Sequence, residues 1–197
     1  KLIGGGGRTA NVKKNALGSI VIKGVSIIVS LMLVPLTIDY VSKELYGVWL
    51  TLSSIIVWLH FFDVGFGLGL KNKLAEALAL NDYNEGKHLV STTYFMLASI
   101  FVPLCFICEF IVPYIDWCTL LNVNVIYKDD IVRTVHVLVA FICAQMIINV
   151  ITSVIAAHQK VALSSLFPVI GNILSVFLIY IFIHYVQPSL LALAFAI

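Results

Sequence analysis

Two stretches of this chain, residues 134–157 and 161–187, run for 24 and 27 residues without one Asp, Glu, Lys or Arg. About 20 such residues in a helix cross the ~30 Å hydrocarbon core of a bilayer. Runs of this kind therefore constrain the fold to membrane-spanning helices. Composition agrees: 61% of the 197 residues are hydrophobic and 11% charged, where a soluble domain holds ~45–50% and ~25%. Mean hydropathy is +1.05. Disordered, collagenous, coiled-coil and disulfide-rich classes are excluded with the soluble ones. Twelve Lys and Arg against ten Asp and Glu leave a net charge of +2, too even for a nucleic-acid binder.

The same criterion places the other spans at 16–38, interrupted once by Lys23, at 46–62, and at 89–114 with Glu109 near its far end. A sixth begins at Ser189. At ~1.5 Å per residue the stretch 189–197 covers only ~13 Å of the core. The expectation is an all-α polytopic membrane protein with five complete spans and a cut sixth, a fragment of something longer. Residues 1–14 read as a cytoplasmic tail and 15–197 as the transmembrane lobe. The polar first fifteen residues and the long apolar run after them do not form a cleavable signal peptide.

Lysine and arginine placement orients the spans. With the N-terminus inside, the inner segments hold eight, Lys1, Arg8, Lys13, Lys14, Lys71, Lys73, Lys87 and Lys160, and the outer ones hold three, Lys43, Lys128 and Arg133. Tyr40, Tyr46 and Trp49 mark one outer rim, Tyr114 and Trp117 another. The inner loop 63–88 carries Leu70, Leu74, Ala77 and Leu78 at helical spacing, which predicts a short amphipathic helix near 70–80 on the cytoplasmic face. Residues 81–86 end it as a turn. Gly4 to Gly7 read as a loose tail, since neither a strand nor Gly-Lys-Ser/Thr accompanies them as a phosphate loop requires. Cys105 and Cys108 form a C-x-x-C inside an apolar run, where thiols act as small packed hydrophobes.

Polar residues inside the spans are the candidate site. Asn15, Ser19, Lys23, Ser26, Ser30 and Thr37 follow one another by 4, 4, 3, 4 and 7, so all lie on one helical face. An intramembrane lysine costs ~2.5–3.5 kcal/mol and faces protein or water. A stripe through the bilayer needs a hydrated cavity or a polar partner helix, and the cavity is the reading adopted, with Lys23, Ser19, Ser26 and Ser30 lining it. Gln145, Asn149 and Thr152 repeat the pattern on the fourth span, with interhelical hydrogen bonding as the competing role. Arg133 and His136 are neighbours at that span's outer end and join the candidate cavity. Pro168, Asn172 and Ser175 share a face of the fifth span. No carboxylate lies mid-membrane, so the cavity favours an anion. No nucleophilic triad, zinc spacing or catalytic carboxylate pair can be assembled, and the expectation is a protein that is not an enzyme, with no metal and no cofactor.

Two runs carry a resemblance. Pro35, Ile38-Asp39-Tyr40-Val41 and Glu44-Leu45-Tyr46-Gly47-Val48-Trp49 resemble the junction between the first two helices of bacterial lipid-linked oligosaccharide flippases. Asp63-Val64-Gly65-Phe66-Gly67-Leu68-Gly69-Leu70-Lys71-Asn72-Lys73-Leu74-Ala75-Glu76-Ala77 resembles the D-x-G-x-G-x-G-L-R-N-K-L-A-E-A run that follows the second helix there. Val41-Ser42 stands where Leu-Gly is usual, and Lys71 where Arg is. The resemblance implies the first six-helix lobe of a MATE-like transporter. It implies translocation of an undecaprenyl-pyrophosphate-linked repeat unit for O-antigen, capsule or exopolysaccharide across the bacterial inner membrane by alternating access. Implied partners are the bilayer, the polyprenyl-pyrophosphate-linked oligosaccharide, and polysaccharide polymerase and chain-length proteins. A coupling ion, H+ or Na+, is left open. The motif is expected to act as a cytoplasmic gate: Gly65, Gly67 and Gly69 let the chain leave the second helix tightly, Asp63 caps the next turn, and Asn72, Lys73 and Glu76 tie the short helix to neighbouring loops. A MATE-type drug exporter is the alternative, followed by an envelope-assembly enzyme, for which the longest outer loop, 116–133, offers little room.

Overall fold

The computed structural model describes the backbone of residues 5–197, and the side chains of these residues outside 5–16, 56–64 and 161–162. Lys1 and Gly4, and the side chains of Arg8, Lys13, Lys14, Asn15 and Asp63, lie outside the described residues. Within them the chain is helical with no strand. The order is α1 (Gly5–Val41), α2 (Lys43–Ala79), α3 (Tyr83–Ile111), α4 (Trp117–Leu121), α5 (Lys128–Ile148), α6 (Val150–Ala157), α7 (Val161–Tyr185) and α8 (Leu190–Ala196), with 3₁₀ turns at Val112–Tyr114 and Val125–Tyr127. The described backbone is already helical at Gly5, inside the run that reads as a loose tail. Four stretches among the described residues, Leu17–Val41, Tyr83–Tyr114, Val125–Ala157 and Leu163–Tyr185, are long and apolar enough to cross a membrane. The stretch 46–62 lies in α2, and its later part falls among the undescribed side chains.

Two apolar cores hold the bundle, one toward each end. The first gathers Tyr40 and Val41 of α1, Leu45, Val48 and Trp49 of α2, Trp117 of α4, Ile131 and Val135 of α5, Ile179 of α7 and Leu190 of α8. The second gathers Leu70 and Leu74 of α2, Leu97 and Phe101 of α3, Met146 of α5, and Val150 and Ala157 of α6. Successive long helices thus run in alternating directions. Tyr40, Trp49 and Trp117 are buried in the first core rather than ringing the surface; of the expected rim aromatics, Tyr114 is the most exposed, at 75%. Trp117 donates its Nε1–H to the Val112 carbonyl at 2.9 Å, which allows a polar ring edge to be buried.

The structure corrects the sequence reading of the region after residue 62. No separate amphipathic helix exists near 70–80, because that stretch is the last part of a continuous 37-residue α2. At ~1.5 Å per residue α2 is about 55 Å long and outreaches a hydrocarbon core of ~30 Å. The expected apolar face is real: Leu70, Leu74 and Ala77 are buried, and it fuses with the span because no residue between them breaks helical backbone. The helix stops at Leu80, not across 81–86. Asn81 takes a left-handed φ of 58°, Asp82 N–H reaches the Ala77 carbonyl at 2.9 Å, and Asn81 N–H reaches Leu78 at 3.2 Å. These two bonds form the Schellman arrangement that satisfies the last carbonyls of a helix. Asp82 then caps α3 by accepting from Glu85 N–H at 3.0 Å. Gly86 lets α3 approach closely, since a Cβ there would sit 3.2 Å from Leu74 Cδ1.

At the opposite end, Asp130 fixes the start of α8. Its carboxylate accepts from Ser189 Oγ–H at 2.7 Å and from Leu190 N–H at 2.9 Å. Tyr40 O–H donates to the Gln187 carbonyl at 2.9 Å. The link from α1 to α2 is a single residue, Ser42, at φ 85° and ψ 161°.

Candidate functional site

The polar stripe on α1 follows from residue spacing alone; its partner comes from packing. α1 packs along α7 more extensively than along any other element. That seam brings Asn172 between Ser26 and Ser30, with its Nδ2 donating to their Oγ atoms at 3.4 and 3.3 Å. Thr37 is buried and donates to the Leu33 carbonyl at 2.7 Å, and Ser175 to the Gly171 carbonyl at 3.0 Å, so both are satisfied within their own helices. Of the two settings such a stripe permits, α7 supplies the polar partner helix at Ser26 and Ser30. Ser19 is half-buried. Lys23 lies one turn from Ser26 and is exposed, and among the described residues no carboxylate pairs with it.

The fourth-span residues are placed apart from this seam. α5 packs chiefly on α3 and α8, while α6 packs on α2 and α7. Asn149 is half-buried at the break between α5 and α6, where the Thr152 hydroxyl donates to its carbonyl at 2.7 Å. Gln145 and Arg133 are exposed. His136 has a partner that sequence spacing did not supply: its Nδ1 meets Glu109 Oε2 across the α3–α5 seam, with the two side chains 35% and 30% exposed. Sequence reasoning set Glu109 aside as a terminal charge. The pairing depends on how α3 and α5 align, which no spacing within either helix reveals. The same seam brings Cys105 against the core that holds Cys143, and all four cysteines are free.

The glycine motif departs from its expected role. Gly65, Gly67 and Gly69 lie in helical backbone and no described glycine has a positive φ, so they make no tight exit from a helix. A Cβ at Gly65 or Gly69 would meet nothing within 4 Å. Asp63 falls inside α2 rather than at a helix start, and its side chain is outside the described residues. Asn72 is exposed, and Lys73 pairs with Glu76 at 3.1 Å on the same exposed helix face. That pair ties the helix to itself and not to a neighbouring loop. Exposed pairs three residues apart contribute only ~0.2–0.5 kcal/mol.

One described carboxyl outside the spans is clearly perturbed. The Thr119 hydroxyl at 2.7 Å, helped by the Thr119 N–H at 3.4 Å, holds Asp116 below the usual carboxylate range. Its bonds cap α4.

Long apolar helices with outward-facing Phe95, Phe106, Phe110 and Phe177 define an all-α, multi-pass membrane protein. Compared with family models, curated proteins and solved structures, the chain matches none.

Proposed function

We propose that this chain is the first lobe of a MATE-like flippase for lipid-linked oligosaccharides, located in a bacterial inner membrane with its N-terminus cytoplasmic. The observation that carries the reading is the exposed Lys23, paired with no carboxylate among the described residues, beside the hydroxyl seam of α1 and α7. A compact, mobile ammonium attracts a pyrophosphate or acidic sugar without locking it in place. Hydroxyls and an amide next to it can exchange hydrogen bonds with a sugar headgroup, while a polyprenyl tail stays in lipid. The resemblance of residues 63–77 supports the family. Lys71, Lys73, Lys87 and Lys160 at the α2–α3 end, against Lys43, Lys128 and Arg133 at the other, support the orientation. No covalent step is required.

The test is complementation in a host lacking its own flippase, at matched membrane abundance. Lys23→Ala abolishes surface polysaccharide and Lys23→Arg keeps part of it. Wild-type polysaccharide in Lys23→Ala overturns the cavity assignment and leaves Lys23 as a side chain that merely reaches the headgroups. One observation favours a second reading, a cation-coupled drug exporter: Glu109 places a carboxylate within the α3–α5 seam. In that case Glu109→Gln removes drug resistance and leaves polysaccharide unchanged.

A further inference from the structure

At the α2–α3 end of the bundle, a cavity of about 380 Å3 opens between α2, α3 and α6. A second, of about 340 Å3, adjoins it and shares Leu78, Tyr83 and His158. Each helix contributes one face. Leu74 and Leu78 are one turn apart on α2, as are Val154 of α6 and His158, which caps that helix's C-terminus. Tyr83, Lys87 and Val90 follow at i, i+4 and i+7 on α3. The floor is therefore aliphatic and the mouth holds an ammonium, an imidazole and a phenol, with no carboxylate lining either cavity. Nearby acids are accounted for. Glu76 is held by Lys73, Asp82 is spent capping α3, and Glu85 lies two residues, roughly 200° around the helix, from Lys87. His158 Nδ1 donates to the Val154 carbonyl at 2.9 Å, so a neutral ring turns only its acceptor Nε2 outward and the anion contact falls to Lys87.

We propose that this groove binds an anionic phospholipid of the surrounding leaflet, with an acyl chain over Leu74, Leu78, Val90 and Val154 and the phosphate at Lys87. The groove calls for an amphiphile because its floor and mouth differ so sharply, and charge complementarity at the mouth makes that amphiphile an anion. It sits where the apolar run of α3 gives way to the polar turn at Leu80–Asp82, a boundary that suits an amphiphile. The site is separate from the α1–α7 seam and does not depend on the transport reading.

The experiment uses the full chain, purified and delipidated in detergent. Lipids retained are counted by native mass spectrometry after mixing with phosphatidylglycerol or phosphatidylcholine of identical chains. Wild-type protein retains phosphatidylglycerol about fivefold better, the size of one lysine–headgroup attraction. Lys87→Gln brings the two lipids to near equality, Lys87→Arg keeps the preference, and Lys43→Gln at the far end leaves it unchanged. Circular dichroism confirms that each variant is folded. Equal retention by wild-type protein, or an intact preference in Lys87→Gln, overturns the proposal. Inorganic phosphate and glycerophosphate compete weakly if the chain is part of the ligand. Full displacement by inorganic phosphate assigns the site to free phosphate and overturns the lipid.

Discussion

Ser42 is the sole residue between two 37-residue helices and adopts φ 85°, ψ 161°. That combination is open to glycine and closed to residues with a Cβ, at a cost of ~1–3 kcal/mol. The serine gains nothing local in return, since its side chain makes no capping hydrogen bond. The backbone geometry itself is anchored on both sides by Ser42 N–H to Ile38 at 3.1 Å and Tyr46 N–H to Ser42 at 2.9 Å. Ser42→Gly keeps those bonds and removes the steric strain, while the freer unfolded chain costs ~0.5–1 kcal/mol. Taking the middle of each range, the net expectation is a gain of about 1 kcal/mol. For a chain of this length that raises Tm by roughly 2–4 °C. The measurement is thermal or SDS-induced unfolding in matched micelles. Ser42→Ala is the control: it keeps the strain and should fall within about 0.5 kcal/mol of wild type. A Gly variant no more stable than wild type refutes the reasoning. So does an Ala variant that gains as much as Gly, because the effect would then belong to the hydroxyl and not to φ.

Three further outcomes follow from the geometry. Gly65→Ala and Gly69→Ala should each raise stability by about 0.5–1 kcal/mol, because a Cβ there meets open space in a helix; destabilisation in the same unfolding assay would show that α2 needs a bend at that point. Asp130→Ala should cost about 1.5–3 kcal/mol through loss of two bonds to a charged acceptor, seen as faster amide exchange at Leu190 and Leu191, with Asp130→Asn intermediate. Asp116, held below its unfolded value, should cap α4 at all pH above ~3.9 and release it as pH falls through the lower folded value. Protection of the Thr119 amide against pH reads this directly, and a loss already at pH 6 contradicts the assignment.

The serine at position 42 was visible in the chain before any coordinates, but its meaning was not. Only the turn's φ shows that a glycine-type conformation is being filled by serine. The motif around Gly65 teaches the reverse. Its glycines looked like a break, because glycine is permissive, yet permissiveness does not compel a turn, and downstream burial of Leu70 and Leu74 carries the helix through. The polar stripe on α1 was legible from intervals of three and four, because an α-helix fixes which residues of one segment share a face. Asn172 was legible as a polar residue on its own face too, but not as the partner of Ser26 and Ser30.

What the sequence determined by itself was which residues of one helix share a face and which runs are long enough to span. That includes uncharged runs long enough for a bilayer, the inward face of Leu70, Leu74 and Ala77, and the intramembrane position of Lys23. What only the tertiary structure decided was everything that depends on the offset between helices. Glu109 meets His136, Asp130 meets the start of α8, and Lys87 and His158 reach one groove, each across a gap in sequence of 27 residues or more. In lipid the apolar surfaces of two helices are nearly interchangeable in how they slide and rotate, so hydropathy leaves their register open. Shape-matched packing and a few polar contacts set it, and those contacts are the ones that the one-dimensional pattern could not pair.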